Sequence, residues 1–171
     1  MKNGGRPRPP LVILVMGVAG SGKTTVGLKL AKALGWRFHD ADEFHPLANI
    51  AKMSAGIPLN DRDRVPWLAA MRACIDACLA RGDSAVVACS ALRRKYRKVL
   101  VVGDARIKAV HLEGSFALIL RRISRRRGHF MKENMLTSQF EELEPPKDAL
   151  ILDVSRPPGE LVAEIRRMFS L

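Results

Sequence analysis

Eight consecutive residues near the start of the chain, Gly17-Val18-Ala19-Gly20-Ser21-Gly22-Lys23-Thr24, follow the spacing G-x-x-x-x-G-K-[ST]. Glycines at 17, 20 and 22 let the backbone curl until several N–H groups point inward, a cradle for phosphate oxygens. Lys23 would bring an ammonium to the β- and γ-phosphates of a nucleotide, Thr24 a hydroxyl for Mg²⁺, and Thr25 a further N–H at the positive end of a helix. A glycine-rich turn that binds nothing is the bland alternative. It is disfavoured because strand, loop and helix signals agree around this segment.

Two more groupings bear on what happens to the phosphate. Asp40-Ala41-Asp42 follows directly on a predicted strand. In a parallel sheet the C-terminal strand ends share one edge, so these carboxylates face the phosphate loop. One can support Mg²⁺ through water while the other takes a proton from an attacking hydroxyl; both could instead be turn residues or helix caps. Late in the chain, Arg121, Arg122, Arg125, Arg126 and Arg127 precede Gly128-His129-Phe130. Guanidinium groups on a closing flap would neutralise a transferring phosphoryl group and exclude water, although a charge run is more often a solvated face.

These residues need elements to hold them. Leu11–Met16 is a short apolar run, as expected of a strand buried on both faces, and Lys23–Leu34 repeats apolar residues at helical spacing up to Gly35. Further strands are predicted at Trp36–His39, Ser84–Cys89, Ile107–Leu112 and Ala149–Val154. Helices are predicted at Pro46–Met53, Arg64–Arg81, Leu92–Val102, Phe116–Arg125, Lys132–Leu143 and Glu160–Phe169, with Gly56–Asp63 a loop. Strands alternating with helices imply crossover connections: one three-layer α/β domain with a parallel sheet and helices on both faces. Residues 1–10 read as a flexible tail and 11–171 as a single domain, with a lid at about 122–143.

Composition bounds the function classes. The chain has 171 residues, 47% of them hydrophobic, and no apolar run long enough to span a bilayer. No signal-like core follows the basic start, so the cytoplasm is the expected compartment. Cys74, Cys78 and Cys89 are odd in number and lack CxxC spacing, which argues against a disulfide framework or a zinc site. The formal charge is +12, and without the five arginines of the cluster the balance is still 24 basic to 17 acidic residues. An excess spread so widely reads as a basic surface. With one tyrosine and two tryptophans there is little stacking surface, so no nucleic-acid partner and no membrane are expected.

At this point a resemblance becomes specific. The strings LVILVMGVAGSGKTTVG, HDADEFHP, KMSAGIPLNDRDRVPWL, VVACSALRRKYR, HLEGSF, RRRGHFM and SQFEELEPP resemble the gluconokinases, which make 6-phosphogluconate from D-gluconate, in order from about Leu11 to Pro146. The resemblance implies a P-loop NTPase fold with a five-stranded parallel sheet and a small helical lid, ATP as donor, Mg²⁺ as cofactor, and usually a homodimer. It implies Lys23 and Thr24 in their phosphate and metal roles, Asp42 as general base in contact with the acceptor, and Asp40 nearer the metal. Arg64 matches a position that meets the acceptor carboxylate in shikimate kinase. Ser90 and Ala91 would offer N–H groups to the acceptor, and Arg122 and Arg126 are the preferred lid arginines. His45, Lys52, His129 and Gln139 are further candidates for acceptor hydroxyls or carboxylate. Bland readings stand beside several of these: His45 as a helix cap, Lys52 as a surface charge, His129 as a hinge. Trp67 reads as core and not as a sugar platform.

Overall fold

The computed structural model describes residues 9–125 and 133–171. The expected tail lies mostly outside that range, as do Arg126 and His129. Five strands form one sheet: β1 (Val12–Met16), β2 (Arg37–Asp40), β3 (Ala85–Ala88), β4 (Ile107–Glu113) and β5 (Leu150–Asp153). All pairings are parallel, in the order β2-β3-β1-β4-β5. The helices are α1 (Lys23–Leu34), α2 (Leu47–Ser54), α3 (Asp61–Arg81), α4 (Arg94–Val101), α5 (Phe116–Ser124), α6 (Glu133–Glu142) and α7 (Pro158–Met168).

The period-two alternation of a strand divides β1 between two cores. Ile13 and Val15 face Val26 and Leu30 of α1, Ile119 of α5 and Ile165 of α7, while Val12, Leu14 and Met16 face Leu68, Met71 and Ile75 of α3 and Leu100 of α4. All these side chains are buried, each worth about 1.5–3 kcal/mol relative to exposure. The three-layer α/β domain expected from the sequence is therefore present, with β1 at its centre. Among the described residues, no helix is long and apolar enough to cross a membrane.

Most element bounds shift by a residue or two from the sequence reading, and two of the differences have a visible physical cause. Helix α3 begins at Asp61, not Arg64, because Asn60 and Asp63 form a reciprocal capping box: Asn60 Oδ1 accepts from Asp63 N at 3.0 Å and Asp63 Oδ2 from Asn60 N at 2.9 Å. Pro46, expected in the first turn of α2, is instead its N-cap. Cys74, Cys78 and Cys89 are free thiols. The sulfurs of Cys74 and Cys78 and a ring nitrogen of His39 lie within 4.8 Å of one another, but Arg81 Nη2 approaches Cys78 Sγ at 3.7 Å, and that positive charge disfavours a dication there.

Candidate functional site

The phosphate loop leaves β1 where its neighbours diverge, β3 on one side and β4 on the other, the usual ligand edge of an open parallel sheet. Its conformation depends on missing side chains. Gly17 has φ 149°, and a Cβ there would lie 2.8 Å from the Leu112 carbonyl oxygen, a backbone atom that cannot swing away. Gly22 caps α1 at φ 97°, which turns the first N–H groups of the helix into the loop. Ser21 Oγ is fully buried and has no hydrogen-bond partner among the described residues. Lys23 Nζ donates to Val18 O at 3.0 Å, folding the ammonium over the loop.

Asp40 ends β2 and holds two partners at once. Its Oδ1 accepts from Asp42 N at 3.1 Å, capping the short 3-10 turn Ala41–Phe44, and its Oδ2 accepts from the Thr24 hydroxyl at 2.9 Å. That oxygen–oxygen spacing matches the edge of an octahedron with metal–oxygen bonds of about 2.0–2.1 Å, so Thr24 and Asp40 suit a hard Mg²⁺ ion that keeps waters and phosphate oxygens elsewhere. Lys23, Asp42 and Asp40 are all within electrostatic reach of Cys89, the residue that follows β3. Burial pushes the Cys89 thiol up to about 12; the Ala91 N–H and Lys23 pull it down, and Asp42 and Asp40 push it further up.

The residues expected to receive an acceptor are brought together from α2, α3, α4 and α6 and the turn before α2. His45 stacks on Trp67, ring centroids 4.8 Å apart and planes 6° from parallel, and its Nδ1 lies 3.3 Å from Asn49 Nδ2. Burial holds the His45 imidazole below its ordinary range, with Asp42 opposing and Arg64 adding to the fall. His45 is therefore within electrostatic reach of both Asp42, the expected base, and Arg64, the expected carboxylate anchor. Trp67 is buried and its Nε1 donates to Ala41 O at 2.8 Å, a core residue as read. Arg64 Nη1 meets the Tyr96 hydroxyl at 2.7 Å and Glu142 at 3.3 Å. Lys52 is tied to Asp63 at 2.7 Å, and Gln139 of α6 turns to the phosphate loop, its Oε1 accepting from Ala19 N at 2.7 Å.

Ser90 and Ala91 leave β3 in a constrained bend: Ala91 has φ 39°, a left-handed conformation that costs a residue with a Cβ about 1–2 kcal/mol. Arg97 holds it there. This buried guanidinium donates from Nη1 to Ala91 O at 3.0 Å and Leu92 O at 2.8 Å. On the far side of the loop, a cavity of about 300 Å³ is lined by Gly20, Gly22 and Thr25 together with Arg122, Arg125 and Arg156. Arg122 also donates to Val154 O at 2.5 Å, which fixes it against the β5–α7 connection.

Comparison with known proteins agrees with this geometry. The shikimate kinase family model matches residues 19–156. A gluconokinase of Gluconobacter oxydans is 47% identical over 139 residues, covering 81% of this chain and 78% of its own. The chain belongs to the gluconokinase family. Two solved structures extend the likeness within and around that family: a gluconokinase from Sinorhizobium meliloti (44% identity, TM-score 0.80, covering 92% of this chain and 90% of its own) and a sugar kinase from Janibacter sp. (41%, 0.87, 95% of each). The chain is an ATP-dependent sugar-acid kinase built on the P-loop fold.

Several residues of this gluconokinase-family site were not singled out by the sequence. Arg93 and Arg97 fell within the predicted basic helix Leu92–Val102, whose sequence does not tell which side chain turns inward, and Arg156 stood alone after the last predicted strand. His111, at the end of β4, is buried; burial, then Arg97 and Lys23, lower its imidazole to about 4. The string HLEGSF contained it, but nothing in the string says that a neutral ring stands beside the phosphate lysine.

Proposed function

We propose that the protein transfers the γ-phosphoryl group of ATP to the 6-hydroxyl of D-gluconate, giving ADP and 6-phospho-D-gluconate. The observation that carries this reading is the bond from the Thr24 hydroxyl of the phosphate loop to Asp40, whose other oxygen accepts from Asp42 N, so that both carboxylates stand against the loop. The names of the relatives supply the acid.

Lys23 and the N–H groups of residues 17–25 hold and orient the β- and γ-phosphates. Asp42 takes the proton of the 6-hydroxyl as its oxygen bonds to phosphorus; the bond from phosphorus to the bridging oxygen breaks, and ADP leaves with that electron pair. Thr24 and Asp40 would hold Mg²⁺, which supplies neutralising charge to the phosphate oxygens. Arg122, and Arg126 outside the described residues, would add charge from the lid. Arg64 binds the carboxylate, Ser90 and Ala91 line the acceptor, and His45 and Lys52 lie near its hydroxyls, with His129 and Gln139 contributed from the lid region. The protein would act in the cytoplasm as a homodimer, with neither nucleic acid nor membrane as partner.

A coupled ADP-release assay across gluconate, shikimate, other sugar acids and nucleosides tests the reading. Gluconate should give the largest stimulation. Release that gluconate does not stimulate would sink the proposal.

A further inference from the structure

The carboxylate of Glu142, the last residue of α6, lies between two guanidinium groups. Its Oε2 is 3.3 Å from Arg64 Nη1 and its Oε1 is 3.5 Å from Arg93 Nη2. Arg64 and Glu142 are largely withdrawn from solvent, with side chains 19% and 21% exposed. Such a pair is screened far less than a surface ion pair.

The two arginines are positioned from their other side. The Tyr96 hydroxyl lies 2.7 Å from Arg64 Nη1 and donates to Asp61 at 2.6 Å, while Arg93 lies 3.8 Å from the same Asp61 carboxylate. Lys95 also binds Asp61, and the carboxylate is lowered to about 2, first by its bond from Lys95 and then by that from Tyr96. Asp61 therefore stays charged throughout the working range, and the faces of Arg64 and Arg93 toward α6 are left for one carboxylate, with one oxygen for each guanidinium.

A sugar acid carries that same group. We propose that Arg64 and Arg93 together form the seat of the acceptor carboxylate, and that Glu142 is an intramolecular occupant of that seat which the substrate displaces. The inference rests on the gluconate reading and adds two residues to it, Arg93 as a second anchor and Glu142 as a tethered competitor. A hollow of about 690 Å³ bordered by Arg93, Lys98, Glu141 and Glu142 gives the displaced side chain room to move. A neutral polyol has nothing to offer in exchange, so the arrangement selects for acids. It also lowers the apparent affinity for the acid by the fraction of molecules in which the seat is empty.

Glu142 lies three residues after Gln139, whose side chain accepts the Ala19 N–H of the phosphate loop. One short helix thus touches both halves of the site, and release at the acceptor end frees it to shift at the donor end.

The test uses the whole chain as wild type, Glu142→Gln, Glu142→Asp, Arg93→Met and Arg93→Lys. Each is assayed for gluconate-dependent ADP release at saturating ATP, with a thermal melt as a check on folding. Glu142→Gln removes the competing charge and should lower KM for gluconate about 3- to 10-fold. Glu142→Asp withdraws the carboxylate by one methylene and should act in the same direction, and it carries the test if the glutamine variant melts early. Arg93→Met should raise KM for gluconate about 10-fold or more, and Arg93→Lys by less, because a point charge cannot replace a planar fork. A KM for gluconate that stays level or rises in the Glu142 variants, or stays level in Arg93→Met, overturns the inference while leaving the gluconate reading intact. Absence of gluconate turnover in the wild type overturns both.

Discussion

The donor and acceptor halves of this site are built from different materials. The donor half is backbone: a loop whose shape follows from glycines at Gly17 and Gly22, closed by one lysine and one threonine. The proposed acceptor half is side chains from four helices, and their charges satisfy one another, Lys52 with Asp63, Arg64 with Glu142, Lys95 with Asp61. A backbone cradle is preorganised and costs nothing to rearrange when phosphate arrives. A set of mutually paired side chains must exchange partners before it can bind, and that exchange is where selectivity can be written. The site can thus keep its donor while its acceptor is retuned.

Substitutions can break this contrast or sharpen it. The largest effect is expected from Asp42→Asn, which removes the proposed base: kcat should fall by about 10²–10⁴ while ATP affinity, measured by calorimetry, is retained. Lys23→Ala should cost about 10²–10³ in kcat and weaken ATP as well, because it strips the only side-chain cation of the loop itself. If Asp42→Asn instead lost ATP, the two halves would not be separable.

Stability offers a third test, on the boundary between the halves. His111 titrates near 4 when folded and near 6.5 when unfolded, so between those values the unfolded chain binds more protons and stability rises with pH. The contribution is complete above about pH 6.5 and lost as pH falls to about 4, a span worth about 3 kcal/mol. Denaturant unfolding at pH 7 and pH 4.5 should show that loss in the wild type and not in His111→Asn. A smaller effect is expected at Ala91→Gly, which relieves the left-handed strain and should stabilise by about 1 kcal/mol if Arg97 holds the bend unaided. The smallest is Lys52→Met: its partly exposed pair with Asp63 should be worth about 1 kcal/mol or less in the same unfolding experiment.

The same contrast explains what could be read from the chain. The cradle was legible because a loop between a buried strand and a helix is a local pattern, and α1 ends where its flanking glycines say it should. The start of α3 was missed because the cap pairs Asn60 with Asp63, residues that also look like a polar loop. Arg97 was missed for a deeper reason. An arginine in a run of arginines and lysines reads as solvated, and only the fold turns this one inward to two carbonyl groups. Glu142 and Arg93 stand 49 positions apart, and no spacing rule joins them. Asp40 and Asp42 fell between, since their place at a strand end was predictable while the bond from Asp40 to Thr24 was not.

Because the strands are parallel, the site lies at one edge of the sheet, and among the described residues the opposite edge carries the returns from helix to strand. Gly35, Gly82 and Gly103 mark three of those returns, and their φ values of 68°, 77° and 67° reserve those three positions for glycine. The molecule therefore has a working pole and an idle one. The idle pole is where a fluorophore, a surface tether or a fused domain can be attached while the two substrates continue to meet undisturbed on the far side of five strands.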